Sequence, residues 1–89
     1  MRADTVEIYS DATNAAVMRH PGRRFPGVLV QGDTLHSLWM QADLACREAG
    51  PGSRGFEEIS DLRNRLQELL IHYKVVLGEH RIPLPFSDQ

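Results

Sequence analysis

The sequence predicts an α+β fold: a two- or three-stranded antiparallel sheet followed by two amphipathic helices, the second of them long. Three observations carry this. The first third of the chain holds short apolar and β-branched runs separated by turn residues, whereas the rest holds two stretches whose apolar residues recur at three- and four-residue steps. Between the two regimes stands Gly32-Asp33-Thr34, a strand stop joined to a helix start. At 89 residues one compact domain is expected over 1–89, ending in an extended tail over 81–89. A domain of this size hides only about 60% of the surface its unfolded chain exposes, so help from a second subunit fits the arithmetic.

The strands come first. Thr5 to Tyr9 alternates, with Val6 and Ile8 on one face, and Ser10-Asp11 opens a turn. Ala15 to Arg19 is a second and weaker strand candidate, and Gly27-Val28-Leu29-Val30-Gln31 is the clearest, apolar and bounded by glycine at both ends. His20 to Gly27 contains two Pro-Gly pairs, Pro21-Gly22 and Pro26-Gly27. Proline presets φ and glycine supplies the positive φ of tight turns, which predicts a hairpin with Arg23 and Arg24 at its tip.

The helices follow. Asp33 suits the N-cap of the first, where a carboxylate accepts a backbone N–H and meets the positive end of the dipole. Leu35, Leu38, Trp39, Ala42, Ala45, Cys46 and Ala49 then form one face, and Gly50-Pro51-Gly52 stops the helix. The second helix is predicted from Phe56 or Glu57 to about Leu77 or Glu79. Its seam runs Ile59, Leu62, Leu66, Leu69, Tyr73, Val76 in alternating steps of three and four, the coiled-coil spacing, with His80 next in register. Leu70 and Leu77 widen the seam, while Ile71 and Val75 turn toward another face. About 22 helical residues span roughly 33 Å against about 17 Å for a five-residue strand, which leaves helix for a second copy to cover. In the tail, Pro83 and Pro85 forbid helix and alternate with Ile82, Leu84 and Phe86, so an extended segment shows its apolar side chains largely to one side.

Composition narrows the function classes. Hydrophobic residues at 42%, charged residues at 25% and a net charge of −2 are ordinary globular values and give no global footprint for nucleic acid. Charge is nonetheless segregated: Arg19 to Gly32 carries three arginines and no acid, and Asp33 onward carries six basic and nine acidic residues. No apolar run approaches the roughly 20 residues of a membrane span, and the N-terminus lacks the apolar stretch of a signal peptide. One cysteine, Cys46, forms neither an internal disulfide nor a cysteine-based zinc site, so a cytoplasmic place is expected. Cys46 shares the stripe of Leu35, Trp39 and Ala42 and reads as buried and structural.

Catalytic patterns are absent. There is no phosphate loop, dinucleotide fingerprint or nucleophile elbow, and His36, His72, His80 and Glu79 do not match metal-ligand spacing. Asp33 and His36 lie one turn apart, but polar residues belong in a first turn in any case. Neither cofactor nor metal is expected, and the chain reads as no enzyme. The arginine loop is the strongest polar constellation. Arg19, His20, Arg23 and Arg24, with Phe25 adjacent, have the donors to hold a phosphate or carboxylate or to stack on a base. The alternative is a solvated tip whose arginines pair with acids such as Glu57, Glu58 or Asp61.

The run Pro21-Gly-Arg-Arg-Phe-Pro-Gly-Val-Leu-Val-Gln-Gly-Asp33, with Asn14 to Val17 and a closing helix that passes through His72-Tyr73 toward Leu84-Pro85, resembles a family of small bacterial proteins of unknown function. That resemblance covers most of the chain and implies no activity. More loosely, Phe25 to Thr34 is similar to the strand-to-helix junction of HicB-type antitoxins, although the separate DNA-binding segment of that family does not follow here.

The expected function is that of a non-catalytic binding or accessory protein, acting through a protein partner and self-associating as a homodimer by its long helix. Its interface is expected to draw on Leu69, Leu70, Ile71, Tyr73, Val75, Val76 and Leu77, with Ile82, Leu84 and Phe86 over the joint. One rival is an anion- or nucleotide-binding protein working through the arginine loop, with an acid from Asp33 or His36 if it is an enzyme. A HicB-like antitoxin is the third.

Overall fold

A computed structural model describes residues 1–87 of the chain. Asp88 and Gln89, the end of the expected tail, lie outside the described residues. The elements run β1 (Glu7–Ser10), β2 (Ala16–Arg19), β3 (Gly27–Leu29), α1 (Gly32–Ala49) and α2 (Phe56–Glu79). They fall in two compact units, Met1–Gln31 and Gly32–Gln89. The α+β class and the order of its parts are as the sequence predicts, with the sheet settled at three strands.

In the first unit the strands form an antiparallel meander in the order β1-β2-β3. Glu7 faces Arg19 and Ile8 faces Met18, but Ser10 faces Val17, so Tyr9 is the extra residue of a β-bulge. This bulge carries β1 on to Ser10, one residue past the predicted end. Across the second hairpin Ala16 faces Leu29, Val17 faces Val28 and Met18 faces Gly27. β3 ends at Leu29 rather than Gln31. The 11–15 connection is held by hydroxyls: Ser10 accepts the Ala12 N–H at 3.3 Å, and Thr13 accepts the N–H of Ala15 at 3.3 Å.

The second unit is a helical hairpin. α1 begins at Gly32, so Asp33 sits inside the first turn instead of capping it, and its carboxylate accepts the Thr34 N–H at 2.9 Å. Gly50 ends α1 in the left-handed region at φ 75°, its N–H returning to the Cys46 carbonyl at 3.0 Å. Gly55 opens α2 at φ 80° with no side-chain cap. Glu57 and Glu58 in the first turn supply the charge complement that the missing cap does not.

The core of this unit is small against large. α1 offers Gly32, Ala42 and Cys46, all buried, and α2 offers Leu70, which is 4% exposed, between half-buried Leu66 and Tyr73. Burial of Cys46 fits its predicted place on the stripe. A Cβ on Gly32 would land on the Tyr73 ring, so the absence of a side chain at position 32 is what admits that ring. Leu38 and Ala49, predicted on the buried face of α1, are exposed, because the face is rotated toward Trp39, Asp43 and Cys46.

A corresponding correction applies to α2. Its inward line is Ile59, Arg63, Leu66, Leu70, Tyr73, Leu77, whereas Leu62 and Leu69 of the predicted seam are 52% and 59% exposed. Both lines share Ile59, Leu66 and Tyr73 and differ by one residue at the intervening positions. Arg63 decides between them: its guanidinium reaches Asp43 of α1 at 3.7 Å, and Asp43 also takes Arg47 at 2.7 Å. An inward polar pair at one end rotates α2 so that Leu70 and not Leu69 points inward.

α2 closes in a Schellman motif. Ile82 donates to the Leu77 carbonyl at 2.9 Å and Arg81 to that of Gly78 at 3.3 Å. Arg81 holds φ 56°, a left-handed conformation usually left to glycine.

Substitutions at Leu69, Leu70, Gly32 and Arg81 test this packing by urea unfolding. Measured at a protein concentration low enough to keep the chain monomeric, Leu70→Ala is expected to cost about 2–4 kcal/mol and Leu69→Ala under about 1 kcal/mol, the reverse of what a Leu69-centred inward seam requires. Gly32→Ala should destabilise by about 1–2 kcal/mol in spite of alanine's better helix propensity, and should turn neutral or stabilising beside Tyr73→Ala. Arg81→Gly should gain about 1 kcal/mol, and a loss would show that the Arg81 side chain outweighs its backbone strain.

Candidate functional site

In the sheet unit the predicted basic residues divide into two groups. Arg19 is drawn into the sheet: the β1–β2 register sets it opposite Glu7, and both Nε, at 2.6 Å, and Nη2 donate to the same carboxylate oxygen. The Glu7 carboxylate, by its hydrogen bonds first and its charge second, holds the guanidinium above the ordinary arginine range. Sequence reading placed Arg19 with the anion-binding group and overlooked Glu7, whose only signal was its place one step before Ile8 on the paired strand.

His20, Arg23 and Arg24 remain at the tip, all exposed. The tip is braced from within. The Arg23 N–H closes a turn on the His20 carbonyl at 2.9 Å, with Pro21 and Gly22 at its centre. His20 Nδ1 accepts the Gly22 N–H at 3.0 Å, and Arg19 Nη1 donates to the Arg23 carbonyl at 3.3 Å. With Nδ1 acting as acceptor, a neutral His20 carries its proton on Nε2. The Arg24 guanidinium lies over the Phe25 ring, 5.3 Å from its centre. No ion pair joins Arg23 or Arg24 to a carboxylate among the described residues. Beside them a shallow groove of about 270 Å³ is lined by Val6, Met18, His20, Arg23, Phe25, Gly27, Val28 and Leu29.

In the helical unit the ten residues expected at an interface separate by burial. Leu70 is buried, and Tyr73, Val76, Leu77, Leu84 and Phe86 are half-buried. Leu69, Ile71, Val75 and Ile82 are about half exposed or more. The tail returns onto its own unit. The Phe86 ring stacks on His36 of α1 at 4.1 Å between centres and 3° between planes, and lies 6.4 Å from Tyr73 of α2. Ile71 and Val75, at 49% and 53% exposure, stay uncovered by this strap. His36 therefore faces an aromatic ring rather than Asp33, whose carboxylate is engaged with Thr34.

A second groove, of about 720 Å³, runs along α1 and is lined by His36, Trp39, Met40, Asp43, Leu44 and Arg47 with Ser87. The indole N–H of Trp39, one of the lining residues, is buried and has no hydrogen-bond partner among the described residues. No group of three or more His, Cys, Asp or Glu among the described residues is placed to hold a metal ion, and no helix there is long and apolar enough to cross a membrane.

Comparison with known proteins assigns this chain no chemistry. Neither a curated protein nor a solved structure matches the chain. A family model matches residues 1–86, nearly the whole sequence, and on that match the chain belongs to a family of unknown function, DUF6959.

Proposed function

We propose that this chain is a small binding protein that works by protein–protein contact and self-associates through α2 as a homodimer. One observation carries the reading. Leu62 and Leu69, seven residues apart, are 52% and 59% exposed on a helix whose inward line is already filled by Leu66, Leu70, Tyr73 and Leu77. Seven residues is two turns, so Leu62, Leu69 and half-buried Val76 form a second straight stripe, roughly 80–120° around the helix from Leu70. A two-fold antiparallel pairing about Leu69 sets Leu62 of each copy against Val76 of the other, and two-fold dimers are the commonest oligomers.

Ile71 and Val75 lie on the opposite flank, roughly 100–140° from Leu70. A dimer built on the Leu62–Leu69 stripe leaves that flank for a different protein. The residues of the broader expected interface that pack inward, Leu70, Tyr73, Leu77 and Phe86, hold the unit together and present little surface to a partner. The antitoxin resemblance adds nothing here, because the stripe lies outside Phe25–Thr34.

Light scattering at micromolar concentration tests the reading. The expected particle is about 20 kDa, twice the 10.1 kDa chain, and Leu69→Glu should return it to the monomer while helix content by circular dichroism is kept. Val75→Glu should leave the dimer intact. A wild-type particle of 10 kDa, or a dimer indifferent to Leu69→Glu, defeats the proposal.

A further inference from the structure

The sheet unit, residues 1–31, contains seven charged side chains, and their pairing leaves an imbalance at one end. Arg2 pairs with Asp4 at 2.8 Å and Arg19 with Glu7. Asp11, Arg23 and Arg24 are left. Asp11 belongs to the connection between β1 and β2, and the arginines to the connection between β2 and β3. In a meander those connections lie at opposite ends, about 13 Å apart for four-residue strands. The unit's one remaining acid therefore does not neutralise the tip.

The same end carries the apolar groove of about 270 Å³. Val6, Met18 and Leu29, which the register sets on one face of the sheet, give it an apolar lining, and Arg23 and His20 complete it. The turn bond from Arg23 to His20 and the Gly22 N–H on His20 Nδ1 fix the backbone that presents both side chains, and leave Nε2 as the imidazole donor. Preorganised donors beside apolar surface match a ligand that is charged at one end only. Inorganic phosphate would meet the arginine and leave the groove empty, and a neutral apolar molecule would leave the arginine without its counter-charge. The volume lies below the roughly 300–1,000 Å³ of sites for drug-sized ligands, which limits the apolar part to one ring or a branched alkyl group.

We propose that this groove binds a compact organic carboxylate, its apolar body against Val6, Met18 and Leu29 and its carboxylate on Arg23, with His20 Nε2–H as a second donor. The chemistry is shared by free aromatic or branched acids and by a peptide ending in an apolar residue. The site rests on the sheet unit alone and stands or falls independently of self-association by α2.

A nitrogen-15 NMR titration of the full chain tests it with 3-phenylpropionate, 3-phenylpropanol and inorganic phosphate. The expected result is saturable shifts for amides between His20 and Val28 with phenylpropionate, and binding weaker by about tenfold or more for the alcohol, which loses the charge-assisted contact, and for phosphate, which loses the apolar one. Arg23→Gln should weaken phenylpropionate by a similar factor with the rest of the spectrum unchanged, and Arg2→Gln should not. An alcohol that binds as tightly as the acid, phosphate that binds as tightly as either, no saturable shift at all, or indifference to Arg23→Gln each overturns the proposal. Tighter binding of acetyl-Gly-Gly-Phe than of phenylpropionate assigns the site to peptide ends, and the opposite order assigns it to free acids.

Discussion

The helical unit depends on the fit of large side chains of α2 onto small residues of α1. Helices approach closely only where one contributes little volume, and α1 does so at Gly32, Ala42 and Cys46. The Tyr73 ring fills the space so made at Gly32. The Tyr73 ring at Gly32 then supplies part of the surface on which Phe86 settles, together with His36 from the same first turns of α1. The position of the tail thus follows from the missing side chain at residue 32. Polar chemistry adjusts the fit at another point, where Asp43 of α1 draws in Arg63 of α2 and sets the rotation of that helix. Because both groups are part-buried, this pair is worth more as a register device than as net stabilisation.

Pairing plays the corresponding part in the sheet unit. The alternation of strand residues sends Glu7 and Arg19 to one face, and their register makes them neighbours. Once Arg19 is held there, it also donates to the Arg23 carbonyl and so braces the turn that carries the other two arginines. A residue that sequence position assigned to the anion-binding loop acts in the fold as its brace. Such a tie restricts the loop before any ligand arrives, which lowers the ordering cost of binding.

Much of this was legible from residues alone, and the rest was hidden for definable reasons. Gly32, Gly50 and Gly55 marked the helix ends because few residues replace glycine there, and the two Pro-Gly pairs marked the hairpin. The inward seam was ambiguous because Ile59, Leu66 and Tyr73 belong to two heptad lines at once. Choosing between Leu69 and Leu70 required knowing that Asp43 lies opposite Arg63, a contact between residues 20 apart in sequence. Likewise, the prolines at 83 and 85 made the tail's extended form readable but not its landing place, which depends on rings at 36 and 73. At the candidate site His20, Arg23 and Arg24 were readable as a basic loop. The groove beside them was not, since Val6 and Met18 reach it only through the antiparallel pairing of three strands.

The thinness of the core bears on how the chain keeps its fold. Among the described residues only Ala42, Cys46 and Leu70 are apolar and buried, two of them small. The helical unit, residues 32–89, is smaller than the roughly 70–80 residues below which a single core rarely supplies more than about 3–5 kcal/mol of net stability. Leu62, Leu69, Ile71 and Val75 each keep about half of their surface in water. Full burial of such a side chain is worth about 1.5–3 kcal/mol, so the unrealised half of each amounts to roughly 1 kcal/mol. Four such residues hold in reserve as much free energy as the whole core delivers. Association that covered even one flank in both copies would therefore compete in size with intrinsic stability, and under the proposed dimer folding and association would be one linked equilibrium in which stability rises with protein concentration.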